Sequence, residues 1–408
     1  MSRKSIIRAP IWLLVLITLS GTLAMHMFVP ALPDAGADLG ASSSAMQMTI
    51  SLYILGLAFG QLVYGPLSDG FGRRPLLLAG LSIYVLAGIA AALAQSETTL
   101  IVSRLFQALG GCAGLALGRA IVRDTAAGDS AVKDQALLNL IMMAGPGLAP
   151  LLGSLLTLHL GWRTVFVALV LLGLVTLVST WRLLPETGVP TGKISAAALA
   201  FDYKSLLRMP SFLGYAFGGG CATTSIYSFI AAAPFIITQD LQRPAQEVGI
   251  YLALLIVGLS VGNAATRQLI GRYSLERLLI GGNAVSVGAA VVLLGLTLSG
   301  HLHIVSVTGL MFLFAMGAGV ASPTALTKGL NVDRHLVGSA AGLYGFTQMA
   351  IGAICTSLVG LGDNPALTAF TVLACAAILG QAGLWFGLKQ DQRMAHNVLA
   401  SEADSTPH

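Results

Sequence analysis

Charge is what this chain has least of. Only 10% of its 408 residues are Asp, Glu, Lys or Arg, against roughly 25% in a soluble domain. That excludes a protein exposed to water on all sides, and no stretch is long and polar enough to be a separate soluble domain. Cysteine is also scarce. Cys112, Cys221, Cys355 and Cys375 all fall in apolar runs, with none at metal-ligand spacing. They read as small core residues, so neither a disulfide framework nor a metal site is expected. A phosphate-binding Gly-x-x-x-x-Gly-Lys-Ser/Thr loop is missing. Gly192-Lys193 has Thr187 in place of the first glycine and Ile194 in place of the hydroxyl, which excludes an ATP-driven pump. His26, His159, His301 and His303 make no His-Glu-x-x-His, and no Gly-x-Ser-x-Gly occurs. An enzyme embedded in the membrane is therefore a remote reading, with no catalytic residue or cofactor expected. Most telling is the absence of any carboxylate deep in an apolar run: Asp34, Asp38 and Glu97 fall in loops on one side, and Asp69 and Asp124 at run ends on the other.

What the chain does have is apolar length. It is 55% hydrophobic with a mean hydropathy of +0.82. Each membrane span needs ~20 apolar residues, so twelve would use roughly 240. Twelve runs are found. The first six are 11–33, 46–66, 75–95, 99–122, 134–158 and 163–184. The second six are 210–237, 246–267, 275–298, 303–327, 336–360 and 366–388. Backbone groups in lipid must be satisfied within the segment, so all twelve are expected to be helices. Strands of a barrel are excluded by the length and uniform apolarity of the runs. Arg3, Lys4 and Arg8 precede the first run as they would in a signal peptide, but the apolar signal continues to Pro30 and reads as a retained span.

Lys and Arg are unevenly placed. Of 22, the termini and even-numbered loops hold 19, the odd-numbered loops hold Arg163 and Arg243, and Arg104 lies inside the fourth span. That asymmetry places both termini in the cytoplasm. It also accounts for the net charge of +5 without nucleic acid as a partner. The expected organisation is a six-helix half over 1–184, a cytoplasmic linker over 185–209, a second six-helix half over 210–390, and a disordered cytoplasmic tail over 391–408. Pro30 and Pro234, near the same ends of spans 1 and 7, hint at two repeated halves, as do Gly72-Arg73 and Gly271-Arg272 after spans 2 and 8.

Three motifs stand out. Gly65-Pro66-Leu67-Ser68-Asp69-Gly70-Phe71-Gly72-Arg73-Arg74-Pro75 joins spans 2 and 3. Its glycines permit a tight turn and its arginines fix the side. Span 4 contains Arg104 in Ser103-Arg104-Leu105-Phe106-Gln107-Ala108, and a charge inside a span normally faces a cavity. Span 5 contains Gly145-Pro146-Gly147-Leu148-Ala149-Pro150-Leu151-Leu152-Gly153-Ser154. Two prolines four residues apart disturb a helix, and small residues admit a close neighbour.

The first motif resembles the G-x-L-x-D-x-x-G-R-R/K loop of the major facilitator superfamily of secondary transporters, with Gly65, Leu67, Asp69, Gly72, Arg73 and Arg74 filling every position. The span 4 and span 5 stretches resemble L-x-x-x-R-x-x-Q-G and G-P-x-x-G-G of drug–proton antiporters. Ala108 replaces the final glycine of the former, and Ala149 and Ser154 replace two glycines of the latter. Met27–Pro33, Gly118–Asp124, Gly161-Trp162-Arg163 and Ser228–Phe235 are most similar to the Bcr/CflA drug-resistance branch. The resemblance implies a twelve-helix all-α fold in two halves, with substrate near the midplane between them. It further implies export of small amphiphilic compounds by proton antiport across a bacterial inner membrane. A monomer is expected, with protons, lipid and a small-molecule substrate as its partners. A facilitator or importer of a metabolite is the alternative.

One departure from the branch matters. Its members carry an acidic residue in span 1 where this chain has His26, in His26-Met27-Phe28-Val29-Pro30. His26 titrates near neutral pH and is the candidate proton carrier. Arg104, Gln47, Tyr53, Asn139, Tyr227 and Gln348 are the other cavity candidates, since buried amides and phenols need partners. Asp69, Arg73, Arg74, Arg123 and Asp124 are expected to form a charge cluster that holds one conformation closed, with Gly65 and Gly72 shaping its loop. Pro146, Ala149, Pro150 and Gly153 are expected to form the antiporter kink. Without a deep carboxylate, neutral or weakly anionic substrates are favoured over dications.

Overall fold

Long apolar runs cannot leave backbone N–H and C=O groups bare in lipid, so they close helical hydrogen bonds within themselves. The computed structural model describes residues 10–125, 145, 147–188, 192, 196–333 and 336–404. Among them the chain is helical, with no strand. The first half holds α1 (Ile11–Met27), α2 (Leu32–Leu39), α3 (Ser43–Phe71), α4 (Arg73–Ala92), α5 (Glu97–Thr125), α6 (Gly147–Leu160) and α7 (Arg163–Leu183). A connecting helix follows, α8 (Ala196–Leu207). The second half holds α9 (Pro210–Thr224), α10 (Ile226–Phe235), α11 (Val248–Leu269), α12 (Leu275–Leu298), α13 (Ile304–Leu330), α14 (Val337–Val359) and α15 (Pro365–Asp404).

Eleven stretches among the described residues are long and apolar enough to cross a membrane, and α6 is a shorter apolar helix at the position of the fifth span. That span's first part lies outside the described residues. Every long helix turns large apolar side chains outward, among them Leu86, Leu93, Leu171, Trp181, Val305 and Trp385. A water-soluble protein rarely exposes such patches, and lipid is the solvent that fits them.

Each half packs around its own centre. In the first, α5 lies against α1, α3 and α4, with α7 on α4. In the second, α13 lies against α9, α11 and α12, with α15 on α9 and α12. The halves meet along α3 and α14. At the end of the bundle near the Gly65–Pro75 loop, Phe59 and Phe346 meet across this seam as a tilted pair with ring centroids 5.8 Å apart.

Three expectations are corrected, on Asp34 and Asp38, on the continuity of span 1 and on Cys375. Asp34 and Asp38 sit in helix α2 rather than in a loop. Pro30 ends α1 in a tight turn over Val29–Ala31, and the chain then resumes helix with Pro33 in the first turn, where a missing N–H costs nothing. Within the 185–209 connection, α8 occupies about half of the residues. Residues 391–404 continue α15; Gln392, Arg393, Met394, Ala395, Leu399 and Ala400 are good helix formers. Cys375 is exposed on the lipid face, unlike the other three cysteines, which are buried.

Candidate functional site

The Gly65–Pro75 loop is built on a backbone that only glycine tolerates comfortably. Gly72 has φ +99°, which breaks α3 from α4 within a single residue. A side chain there would also collide with the carboxylate of Glu186, since its Cβ would lie 2.6 Å from Oε2. That carboxylate caps α4. Oε1 accepts from the Arg73 N–H at 2.8 Å and Oε2 from the Arg74 N–H at 3.2 Å. An anion at a helix N-terminus satisfies bare N–H groups and meets the positive end of the dipole. Glu186 follows α7, so it ties the start of the linker to the loop. Arg74 Nη2 also donates to the Trp181 carbonyl at 2.7 Å, and the Gly192 N–H to the Gly70 carbonyl at 3.3 Å.

Asp69 pairs with Arg73 at 2.8 Å, and the Arg73 guanidinium also reaches Ser68 Oγ. Gly65 faces open space. Arg123 and Asp124 lie in the last turn of α5, and their side chains fall outside the described residues, as do Asn139 and Pro146. The expected cluster is therefore seen in part, with Glu186 as a member that sequence reasoning missed. An acidic residue just past a span end was the only signal available, since Glu186 lies 113 residues from the arginine it caps. Glu186→Ala is expected to cost about 1 kcal/mol, the value of an exposed cap. It should reduce transport at equal expression and speed trypsin cleavage of the 185–195 segment. Unchanged cleavage would show that the cap holds nothing.

Arg104 does not face the seam. It is fully buried inside the first half, with its guanidinium carbon 4.0 Å from the Tyr53 ring centre, 5.4 Å from Phe28 and 5.8 Å from Phe166. Nη1 donates to Gln107 Oε1 at 2.7 Å. Nε and Nη2 meet no acceptor among the described residues. Three aromatic faces thus take the place of a carboxylate. Tyr53 is held in turn by its hydroxyl, which donates to the Gly21 carbonyl at 2.6 Å. The sequence placed Arg104 and Tyr53 in the cavity; the rotation of α3 and α5 turns them into the helix bundle instead.

His26 points the other way. It lies in the last turn of α1, nearly buried. Its Nδ1 is 2.9 Å from the Thr22 carbonyl. A carbonyl only accepts, so Nδ1 carries the hydrogen, and Nε2 is left to take a proton. A narrow crevice beside it is lined by Val29, Pro150, Ile230, Leu252, Leu255 and Ile256. These come from the end of α1, α6, α10 and α11, so His26 sits where the halves meet. The Tyr227 ring is 6.5 Å from the His26 ring and lies over Gly352 of α14. Gln47 is buried at the same seam with its Oε1 unpartnered and close to Gly360. Gln348 is half-buried on α14, its carbonyl accepting from Thr224 Oγ1 at 2.7 Å. His26, Gln47 and Tyr227 are thus brought to the seam, whereas Arg104 and Tyr53 are not.

The helix of α6 runs through Pro150, with Ala149 fully buried. Gly153 rests on the Met27 carbonyl, where any Cβ would overlap. Small residues therefore let α6 touch the backbone of α1 one residue from His26.

Two features at the bundle ends were not foreseen. At the end opposite the loop, Asp38 accepts from Trp162 Nε1 at 3.2 Å and pairs with Arg163, whose Nη2 reaches the Ala94 carbonyl at 2.9 Å. This joins the ends of spans 1, 3 and 6 and gives Gly161-Trp162-Arg163 its structural role. At the loop end, Lys328 lies 3.4 Å from Glu276 and 3.7 Å from Asp391, which also accepts from the Tyr215 hydroxyl. Sequence alone offered no signal for the second group, since its members lie 52 residues or more apart.

The sequence pattern of the Major Facilitator Superfamily matches residues 14–356. The chain is 29% identical over 381 residues to the multidrug transporter MdfA of Yersinia pestis bv. Antiqua (strain Angola), covering 92% of this chain and 91% of that protein. It is 30% identical over 376 residues to a chloramphenicol resistance protein of Pseudomonas aeruginosa, covering 89% and 87%. Among solved structures it is similar to a D-xylose–proton symporter, with a TM-score of 0.71 over 92% of this chain and 96% of that one. At 15% identity that likeness concerns the fold.

Proposed function

This chain belongs to the Major Facilitator Superfamily, a multi-pass membrane transporter family, and on that premise we propose that it exports small amphiphilic compounds by proton antiport with alternating access. The relatives named for multidrug transport and chloramphenicol resistance support the direction and the drug-like substrate class. A twelfth span, completed by α6 and the residues before it, and both termini in a bacterial cytoplasm complete the reading. The observation that carries the mechanism is His26 lining the crevice between the halves, with Nδ1–H held by the Thr22 carbonyl so that Nε2 is the nitrogen left to take a proton. Proton on Nε2 and substrate in the seam then exclude each other, which is what coupling requires.

The same seam supports a substrate preference. Of the Asp, Glu, His, Lys and Arg side chains, only His26 and Arg104 are buried among the described residues, and no carboxylate is. A cationic drug entering here finds no counter-charge, and desolvating it unpaired is costly. Neutral and weakly anionic compounds escape that cost. One proton entering brings ~2.3 kcal/mol per 100 mV and ~1.4 kcal/mol per pH unit, enough for roughly a hundredfold gradient of a neutral compound. In inverted membrane vesicles acidified inside, chloramphenicol is expected to accumulate and to leave when the gradient is collapsed. Accumulation that ignores the gradient would favour a facilitator. A reporter fused after Lys193 is expected to register as cytoplasmic; a periplasmic signal would overturn the orientation.

A further inference from the structure

A second crevice lies at the end of the seam away from the Gly65–Pro75 loop. It is lined by Pro30, Asp34, Ser154, Thr157, Leu158, Ala245 and Gln246, with about 40 Å³ open to water. That is more than one water molecule needs. The walls come from both halves: the turn after α1 and α2 on one side, α6 on another, and the approach to α11 on the third. Asp34 stands exposed at the mouth. Ser154 Oγ and Thr157 Oγ1 are buried with no partner among the described residues, and Thr157 is 9% exposed. A buried hydroxyl without a partner costs about 1–3 kcal/mol. Both border a space large enough to hold water that would satisfy them.

This crevice leads toward His26. Val29 lines the inner crevice and Pro30 the outer one. Pro150 and Ser154 do the same on α6, about 6 Å apart at 1.5 Å per residue. Between them stands Gly249 of α11. A Cβ there would lie 2.6 Å from Ser154 Oγ and 2.7 Å from the Pro150 carbonyl oxygen. The backbone of α11 therefore closes the join between the two crevices.

We propose that the outer crevice is the proton entrance to His26, with Asp34 as its acceptor at the mouth, Ser154 and Thr157 ordering the connecting water, and the Gly249–Pro150 contact as its gate. This rests on His26 as the proton carrier. The proton passes from external water to the Asp34 carboxylate, through water held by the two hydroxyls, to His26 Nε2. It forms an N–H there and leaves to the opposite side once the seam opens that way. Asp34 carries the proton in this transfer, and Ser154 and Thr157 are positioning residues for it. No cation lines the crevice to repel the proton.

The test follows His26 itself. Purified protein carrying ¹³C-labelled histidine is shifted from about pH 8 to about pH 5, a window spanning an ordinary histidine pKa. The rise of the imidazolium infrared band is then timed, with His26→Gln used to assign the band. Asp34→Asn and Thr157→Val are expected to slow the rise by about a hundredfold, the low end of what a positioned proton-transfer group contributes, while its final amplitude stays at the wild-type level. Gly249→Ala forces α11 away from α6 and is expected to quicken the rise. Damage to the fold does not shift the rate in opposite directions at the same amplitude. Equal rates in all four proteins overturn the entrance. A wild type with no His26 band overturns the carrier reading, and the entrance with it.

Discussion

Replacing His26 by glutamine is expected to remove substrate-induced proton release while leaving the seam folded. Glutamine is of similar size, and its amide N–H can still donate to the Thr22 carbonyl that now receives Nδ1–H. What it cannot do is take a proton at any working pH. His26 is the one ionisable side chain in the crevice between the halves, so no neighbour is placed to substitute for it. Coupling between proton and substrate is reciprocal. Wild type should release about one proton per chloramphenicol bound, and His26→Gln should release none. In vesicles the variant should lose about tenfold in accumulation for each pH unit imposed. Purified proteins titrated in weak buffer give the proton count directly. Equal release from both would move coupling away from span 1, with the charged loop at the other end the next place to look.

The second large effect is a separation of stability from activity at Arg104. Burying an unpaired guanidinium costs several kcal/mol, and replacing such a charge by an apolar group of similar volume is often neutral or stabilising by about 1–4 kcal/mol. Here the repayment comes from the Tyr53, Phe28 and Phe166 faces and one hydrogen bond to Gln107. A close, desolvated aromatic face is worth about 2 kcal/mol, which does not meet the cost of burial alone. A residue kept at such a cost inside a membrane is functional by default. Arg104→Leu is therefore expected to match or exceed the wild-type melting temperature and to transport at less than about a tenth of its rate. Arg104→Lys, which keeps the charge but loses the flat fork that lies against the rings, should restore little. A marked fall in melting temperature for Arg104→Leu would make the cage a structural core instead.

Much of the fold was legible because its causes are local. Length and apolarity set the spans one at a time, whereas the break of span 1 at Val29–Ala31 emerged only in the structure. The Gly72 turn was legible for the same reason: a glycine followed by two arginines between apolar runs has few other conformations open to it. Glu186 was missed because a cap acts through backbone groups of Arg73 and Arg74, more than a hundred residues earlier in the chain.

Sequence by itself thus determined the apolar membrane-spanning runs, the Gly65–Pro75 loop and the lack of a deep carboxylate. Only the tertiary structure decided which way each helix faces. It turned His26 to the seam and Arg104 into an aromatic cage, set Glu186 on α4, and placed Asp34 at the mouth of a crevice. The reason is the solvent. A helix in water declares its inner face by a stripe of apolar residues among polar ones. A helix in lipid is apolar all round, so its rotation is set by which small residues let a neighbour approach, as Gly153 does for Met27. That information lies in pairs of helices rather than in any one of them.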